Sequence, residues 1–437
     1  MLLRIIFENF LSFNSPVEFD MFPNLKRTTL LSHVYDKEKM PILKMSSIYG
    51  PNGAGKSNFI KGISFVRNFA VKSGYVEGLR KTGDFARLFY AFKEKKEPIK
   101  ILIEFSNADQ FFIYSFEISS RGVEKEKLME SGLGKKENRP IFERHGSSVV
   151  FGSNSTETIL TASKKLLSKN PFASLLSLNQ DFPIIEESTV GKAFGWFSKK
   201  LDIIDIMSQL PTLIDLLRNN KEMMEFTNRV FQRCGLGIDN VSVKEEDFDS
   251  WARNHALLAN FIPSLGKNEG FTLFNRNRQA YSVLRDKVYR LAFLQEGEGG
   301  YSAELDTLSQ SDGTIRLLTL IPAIYKAINK DQTIVIDEIN HCLHPSIVEG
   351  IVKLFAKNKT TKGQLIFSSH DIDLLDVKDV LRSDEIWFAD KKNGATFMYS
   401  HNDFKEHNTI SKGKGYKEGR FGAIHYMKEE NSDDEIF

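Results

Sequence analysis

The sequence predicts an α/β protein with a mixed sheet, an antiparallel β subdomain near its N-terminus and a mostly helical insertion. A short strand at 44–49 runs into the glycine-rich segment GPNGAGKS (50–57), and helical spacing follows it. The β-branched run TIVI (333–336) is typical of a buried parallel strand. From about 160 to 235, apolar residues recur at intervals of three and four, which indicates helices.

The N-terminal block is predicted to be rich in strands. LLRIIF (2–7) and the apolar stretch at 17–22 favour strands. The segments 99–105 and 111–118 form a predicted β-hairpin because NADQ supplies turn residues between them. A meander of further short strands is expected to continue to about Phe151.

The C-terminal block again alternates helix and strand. Residues 314–329 have helical spacing despite Pro322, and 365–367 predicts a second buried strand after TIVI. Residues 385–388 are expected to form an edge strand. The chain is therefore divided into three predicted parts, an N-terminal α/β block (1–155), a mostly helical insertion (156–294) and a C-terminal α/β block (295–437).

Composition excludes several classes of protein. The 437 residues carry 59 basic and 57 acidic side chains, a net charge of +2, which argues against a strongly cationic nucleic-acid binder. Hydrophobic residues at 41% argue against wholesale disorder. Cys234 and Cys342 form no CxxC pair, so we expect no disulfide framework and a reducing compartment. No signal-peptide pattern or long apolar run is present, which predicts a cytoplasmic protein without a membrane contact.

The strongest motif is GPNGAGKS, a full match to the phosphate-binding loop G-x-x-x-x-G-K-S. Its glycines let backbone N–H groups converge on phosphate oxygens. Lys56 would place its charge at the β- and γ-phosphates, and Ser57 would offer a hydroxyl to Mg²⁺. A chance glycine-rich turn is the alternative, which the complete octet between a strand and a helix disfavours.

Two acidic residues end the strand TIVI, in the segment TIVIDEIN. Ligands of parallel sheets collect at the carboxyl ends of strands, so Asp337 is a candidate Mg²⁺ ligand there. Glu338 is a candidate general base for an attacking water. A solvated acidic turn is the alternative, and the accompanying phosphate loop makes it the weaker interpretation.

The segment PNGAGKS and the opening segment LLRIIFENFLSF resemble motifs of ABC-type ATPases of the SMC, RecF and OLD-like branch. The resemblance implies an ABC-type P-loop ATPase head, split by an insertion, that binds ATP and Mg²⁺. It implies Ser57 and Asp337 as metal ligands and Lys56, Glu338 and His370 as catalytic residues. The nucleotide would be bound by Gly50, Pro51, Asn52, Gly53, Ala54, Gly55, Lys56, Ser57 and Asn58, with Ser311 and Gly313 from a signature motif.

Three further segments extend the resemblance. In SQSDGTIR (309–316), Ser311 and Gly313 would face the γ-phosphate of a partner subunit's ATP, although Ser311 is equally suited to cap a helix. His370 in SSHD resembles the switch histidine of these ATPases. His344 in LHP lies in a region that resembles the D-loop, or it is a turn histidine without chemistry. The ending GRFGAI (419–424) also resembles these proteins.

The resemblance implies that two subunits complete each ATP site, and because this sequence has one phosphate loop, a homodimer or an assembly of dimers is predicted. The resemblance extends to compact ATPases of bacterial anti-phage defence, such as that of the PARIS system and those paired with RloB-like or HNH proteins. It implies a sensor or scaffold subunit that controls a separate nuclease or toxin. The alternatives are a DNA-repair or chromosome-maintenance ATPase of RecF or SMC type and a nucleotide-gated scaffold. Contact with DNA stays open.

Overall fold

A computed structural model describes residues 1–35, 40–91, 97–152, 167–178, 188–205, 211–255, 271–274, 280–284, 286–404 and 411–424. The strands are β1 (Leu2–Glu8), β2 (Val17–Asp20), β3 (Val34–Tyr35), β4 (Ile42–Leu43), β5 (Met45–Tyr49), β6 (Ile99–Asn107), β7 (Gln110–Ser119), β8 (Gly122–Glu130), β9 (Arg139–His145), β10 (Ser148–Phe151), β11 (Leu201–Ile204), β12 (Ile238–Asp247), β13 (Phe271–Phe274), β14 (Ala280–Leu284), β15 (Lys287–Glu296), β16 (Ser302–Leu305), β17 (Thr333–Ile336), β18 (Gln364–Ser368), β19 (Ile386–Lys392) and β20 (Ala395–Ser400). The helices are α1 (Lys56–Val71), α2 (Tyr75–Thr82), α3 (Thr189–Gly195), α4 (Pro211–Asn219), α5 (Lys221–Cys234), α6 (Phe248–Asn254), α7 (Asp312–Asn329), α8 (Pro345–Ala356) and α9 (Lys412–Lys417).

The N-terminal strands form a seven-stranded antiparallel sheet in the order β10-β9-β8-β7-β6-β1-β2. Alternating burial along β6 gives this sheet one core face and one solvated face. Helix α1 packs closely on β1, since a Cβ on Gly62 would lie 2.5 Å from the Phe7 ring. The Phe7 and Phe59 rings meet edge to face with their centroids 5.9 Å apart. Aromatic packing therefore fastens α1 to the antiparallel subdomain.

The second sheet has six strands in the order β11-β17-β18-β5-β19-β20. Its first five strands pair in parallel and β20 pairs antiparallel with β19, so the sheet is mixed. Strands β17, β18 and β5 are entirely buried, as their apolar sequences predict. The predicted strand at 385–388 is present as β19, but it lies inside the sheet. The edge position belongs to β20, because β19 also pairs with β5.

Helix α7 crosses the face of this sheet and joins its core with α8 and α5. Ser311 caps its first turn, and the helix runs through Pro322 to Asn329. Leu317, Leu320 and Ile324 are buried against the sheet. The predicted helical spacing at 314–329 is therefore confirmed as one continuous helix.

The interval 156–294 contains both helices and strands. Strands β12 to β15 form a further antiparallel sheet, which β16 joins from the C-terminal part, and β11 extends the mixed sheet beside β17. A predominantly helical insertion therefore describes α3 to α6 but not these strands. The buried residues of these strands are divided between two clusters: Ile238, Val241, Leu291 and Phe293 join the core of the mixed sheet, and Tyr281 and Val288 form a small cluster with Trp251. The predicted boundary at 155 lies outside the described residues, and the division into three parts stays a prediction.

Candidate nucleotide site

The phosphate loop lies at the carboxyl end of β5, between that strand and α1. Gly50, Gly53 and Gly55 have φ values of 152°, 77° and 113°, a region that favours glycine. A Cβ on Gly50 would lie 2.2 Å from the Ala389 carbonyl oxygen, and one on Gly55 would lie 2.2 Å from Oγ1 of Thr396. The two glycines thus allow the loop to pass close to β19 and β20.

Lys56 is folded back into its own loop. Its Nζ donates to the carbonyl oxygens of Gly50 at 2.6 Å and Pro51 at 3.1 Å. Burial lowers the pKa of Lys56 to about 8, although the carboxylates of Glu338 and Asp337 act in the opposite direction. An anion bound in this loop would restore the charged form of the ammonium group.

A cluster of hydrogen-bonded polar side chains lies beside the phosphate loop. The Thr396 hydroxyl donates to the Ala54 carbonyl oxygen at 2.7 Å and lies 2.8 Å from the Ser12 hydroxyl. Asn58 Nδ2 donates to that same Ser12 oxygen at 2.8 Å. The serine of the opening motif NFLSF is therefore bonded beside the phosphate loop, 46 residues from Asn58.

The acidic turn follows β17, two strands away from β5. The Ser368 hydroxyl, at the end of β18, donates to Asp337 Oδ1 at 2.7 Å and accepts from the Glu338 N–H at 2.8 Å. Asp337 is 6% exposed. Glu338 has a φ of 47°, an uncommon conformation for a residue other than glycine. Ser368 thus fixes both acidic residues through one hydroxyl.

The Glu338 carboxylate lies between two histidines. Its Oε1 is 3.6 Å from His370 Nε2, and its Oε2 is 3.7 Å from His341 Nδ1. Asn340 Oδ1 accepts from the His370 N–H at 3.1 Å and from the Ser369 hydroxyl at 3.2 Å. The turn after β17 therefore holds the segment after β18 in position.

The His370 imidazole is half-buried near two charges. Burial and then the positive charge of Lys56 lower the pKa of His370, while the Glu338 carboxylate raises it. The net pKa lies below its ordinary value, so the ring is neutral at pH 7. A neutral ring beside Glu338 leaves that carboxylate free to accept a proton.

The predicted signature segment begins α7. The Ser311 hydroxyl accepts from the Thr314 N–H at 3.1 Å, which is the helix cap that the sequence allowed. A Cβ on Gly313 would lie 2.7 Å from the Cys342 carbonyl oxygen. Among the described residues, Ser311 and Gly313 make no hydrogen bond to the phosphate loop. Their roles toward a partner's nucleotide stay predictions.

Arg316 connects this helix to the acidic turn. Its guanidinium donates to the carbonyl oxygens of Asp337 at 2.9 Å, Glu338 at 3.3 Å and Asp205 at 3.0 Å. Burial lowers the pKa of Arg316, yet arginine stays protonated. The sequence analysis missed Arg316, Ser368 and His341. The sequence signal for Arg316 is its position in the helical pattern, since this charged residue lies four positions before the core residue Leu320.

Two further motifs have structural contacts. His344 caps α8, and its Nδ1 accepts from the Ser346 N–H at 3.2 Å. The ending GRFGAI packs on the mixed sheet, where the Tyr416 hydroxyl donates to the Ala423 carbonyl oxygen at 2.6 Å. The Phe421 ring stacks on Phe388 of β19. The turn interpretation of His344 is therefore the one that its described contacts support.

The residues present fit a magnesium-bound triphosphate. Mg²⁺ takes one or two protein oxygens together with phosphate oxygens and waters. Asp337 supplies a buried carboxylate whose Oδ1 accepts a hydrogen bond from Ser368. Ser57 is the second residue of α1, and among the described residues the Lys56 ammonium donates to carbonyl oxygens and forms no ion pair with a carboxylate. The described residues contain no group of three metal-ligating side chains.

A mixed sheet with a phosphate loop, an acidic strand end and an antiparallel subdomain defines an ABC-type P-loop ATPase head, and the predicted fold class is confirmed. The family profile described as "AAA domain, putative AbiEii toxin, Type IV TA system" matches residues 45–376, more than half of the chain. The protein belongs to this family. The family relationship indicates an ATPase that binds nucleotide with a divalent metal.

Comparison with curated proteins finds no match. Among solved structures, the SMC head bound to the C-winged helix domain of ScpA is 12% identical, with a TM-score of 0.49 over 91% of this chain and 97% of that one. The SMC head domain from Thermotoga maritima is 13% identical, with a TM-score of 0.41 over 91% and 98%. None of the helices in the described ranges has the length and hydropathy that a bilayer crossing requires.

Proposed function

We propose that this protein hydrolyses ATP at a site completed by a second copy, and that it controls a separate effector in bacterial anti-phage defence. The observation that carries the first part is the meeting of Lys56, Asp337, Glu338 and His370 at the ends of three adjacent strands. Each of these groups has a chemical task in phosphoryl transfer.

Lys56 and the N–H groups of residues 53–57 hold the β- and γ-phosphates. Ser57 and Asp337 hold Mg²⁺, which supplies charge neutralisation of the phosphates when bound. The reaction converts ATP and water into ADP, phosphate and a proton. Glu338 accepts the proton of the attacking water at a carboxylate oxygen, and the neutral His370 ring beside it donates toward the γ-phosphate. Positioning by these groups supplies most of the rate enhancement.

The second copy contributes Ser311 and Gly313 at the start of α7. Helix N-termini attract anions because their backbone N–H groups are unpaired and the helix dipole is positive there. The α7 start also contacts the acidic turn, through Gly313 against Cys342 and Arg316 against Glu338. Binding of a partner's γ-phosphate at Ser311 would therefore be transmitted to the general base Glu338 through these contacts.

Mixing two defective variants tests this arrangement. Lys56→Ala removes the phosphate-loop charge, and Gly313→Asp places an acid at the signature position. Each variant alone should lose at least 100-fold in hydrolysis rate. A one-to-one mixture should recover roughly a quarter of wild-type activity, because half of the random dimers contain one intact site. No recovery, with both variants folded and able to exchange subunits, would contradict a site shared between copies.

The defence role is supported by the family description, which includes a putative toxin of a type IV toxin–antitoxin system. The described residues contain no group of three or more metal-ligating side chains, and we propose that the nuclease or toxin activity belongs to another protein. Cys234 and Cys342 are both free thiols, which suits the cytoplasm that we propose as its location.

Affinity purification of the Glu338→Gln protein from its native host tests this second part. Slow hydrolysis should preserve the nucleotide-bound complex, and wild-type protein purified without nucleotide is the control. A co-purifying nuclease or toxin is the expected result. Recovery of chromosomal DNA and repair factors would instead favour an ATPase of RecF or SMC type.

A further inference from the structure

A groove of about 700 Å³ lies between α5 and α8, with α7 as its floor, away from the residues of the candidate nucleotide site. Half-buried apolar side chains line it, including Phe226 and Val230 of α5 and Ile347 and Leu354 of α8. Among the described residues, no other segment of the chain covers these side chains. The groove is therefore an exposed apolar surface that a second molecule could fill.

Charged residues of α5 border the groove in a definite order. Glu222 and Glu225 lie in the N-terminal half of the helix, and Arg229 and Arg233 lie in the C-terminal half. All four are exposed. Together with Phe226 and Val230 between them, they recur every three or four residues and form one stripe along α5, which we call the α5 stripe.

The two halves of the α5 stripe differ in their partners. Glu222 accepts from the Tyr325 hydroxyl at 2.9 Å, and Glu225 lies 3.9 Å from the exposed Lys221 ammonium. Within the described part of the chain, Arg229 and Arg233 make no ion pair. The stripe thus has an acidic end, an apolar centre and a basic end without an acidic partner.

We propose that the α5 stripe is a self-association surface, on which α5 of a second copy lies antiparallel across the groove. A two-fold axis near residues 227 and 228 places Glu222 and Glu225 of one copy against Arg233 and Arg229 of the other. The same axis brings Phe226 and Val230 of both copies together. A parallel arrangement would place like charges together, so the order of charges selects the antiparallel pair.

Gly350 of α8, on the opposite side of the groove from α5, is further evidence for a second copy as the occupant. It is an exposed interior residue of α8, where glycine is disfavoured relative to alanine. A Cβ on Gly350 would meet no described atom within 4 Å beyond its chain neighbours and the backbone of its own helix, and its φ lies outside the left-handed region. No contact within the described part of the subunit accounts for glycine there, whereas close approach of a second helix would.

The α5 stripe differs from the nucleotide-bridged contact of the proposed ATPase. The former joins subunits through α5 and α8, and the latter would join them through the phosphate loop and the start of α7. Two distinct two-fold contacts on one chain would connect dimers into a larger assembly. The test is done without nucleotide, so its result does not depend on whether the ATPase proposal is correct.

Charge reversal of the α5 stripe tests the proposal by sedimentation equilibrium at low salt. The wild-type protein should self-associate without nucleotide, and 0.5 M NaCl should weaken it because exposed ion pairs are screened. The variants Glu222→Arg/Glu225→Arg and Arg229→Glu/Arg233→Glu should each lose at least tenfold in association constant. Their equimolar mixture should restore association, since opposite charges face each other again.

Two further variants cover the case in which a charge-reversed protein does not fold. The fourfold swap of these residues should pair with itself but not with wild type. Gly350→Leu should block association while the melting temperature is unchanged or higher. A wild-type protein that is monomeric at 200 µM, a mixture that stays dissociated although both variants are folded, or a Gly350→Leu protein that associates like wild type would overturn the proposal.

Discussion

The buried ammonium group of Lys56 makes nucleotide binding depend on pH. Its pKa is about 8 in the structure because burial disfavours the charged form. At pH 8, about half of the free molecules therefore carry a neutral lysine. A bound triphosphate surrounds the amine with negative charge and raises its pKa well above 9, so binding should take up about 0.5 proton at pH 8.

The coupling between protonation of Lys56 and triphosphate binding also makes the dissociation constant depend on pH. Only the protonated loop binds the phosphates well, and its fraction falls as pH rises through 8. With a bound-state pKa well above 9, the dissociation constant should increase about eightfold between pH 7.5 and 9. Over this range the triphosphate is almost fully ionised.

Titration calorimetry in buffers of different ionisation enthalpy measures the proton uptake directly. The Glu338→Gln protein prevents turnover during the titration. Lys56→Arg, with a group that stays charged, should abolish the uptake. Lys61→Met, which removes an exposed lysine from α1, should leave it unchanged. No proton uptake at pH 8, with equal affinity at pH 7.5 and 9, would refute the assignment of Lys56 to the phosphates.

Substitutions in the phosphate loop and at Arg316 test how the site is held in position. Gly55→Ala should lower the free energy of unfolding, measured by urea titration, by roughly 3 kcal/mol or more, because its Cβ would lie 2.2 Å from Thr396. The control Gly53→Ala faces open space at a φ of 77° and should lower this free energy by about 1 kcal/mol. Arg316→Met should lower the free energy of unfolding by roughly 3 kcal/mol, because the buried carbonyl groups of Asp337 and Glu338 lose their hydrogen-bond donor. An Arg316→Met protein as stable as wild type would contradict this prediction. Arg316→Lys should be better tolerated and should lower kcat more than ATP affinity, while a loss in affinity alone would exclude a positioning role for Arg316.

Motifs whose chemistry is local were predictable from sequence. GPNGAGKS requires a strand before it and a helix after it, and the structure has β5 and α1 there. The acidic pair follows a run of four buried residues, as TIVI predicts. In both cases, the neighbouring residues alone determine the strand and the turn.

Contacts across the sheet were not predictable in the same way. Ser368 bonds to Asp337 and Glu338 because β17 and β18 are neighbours, and strand order is not written in any single segment. Arg316 reaches carbonyl groups 21 and 22 residues away for the same reason. The position of 385–388 inside the sheet depended on its pairing with β5, far away in the sequence.

The central claim is that Glu338 is the base for hydrolysis at the loop that holds ATP. Phosphate release by wild-type and Glu338→Gln proteins, measured at equal and saturating ATP occupancy, tests it most directly. We predict that Glu338→Gln binds ATP with wild-type affinity and loses at least 100-fold in rate. A Glu338→Gln protein that releases phosphate as fast as wild type would contradict the account.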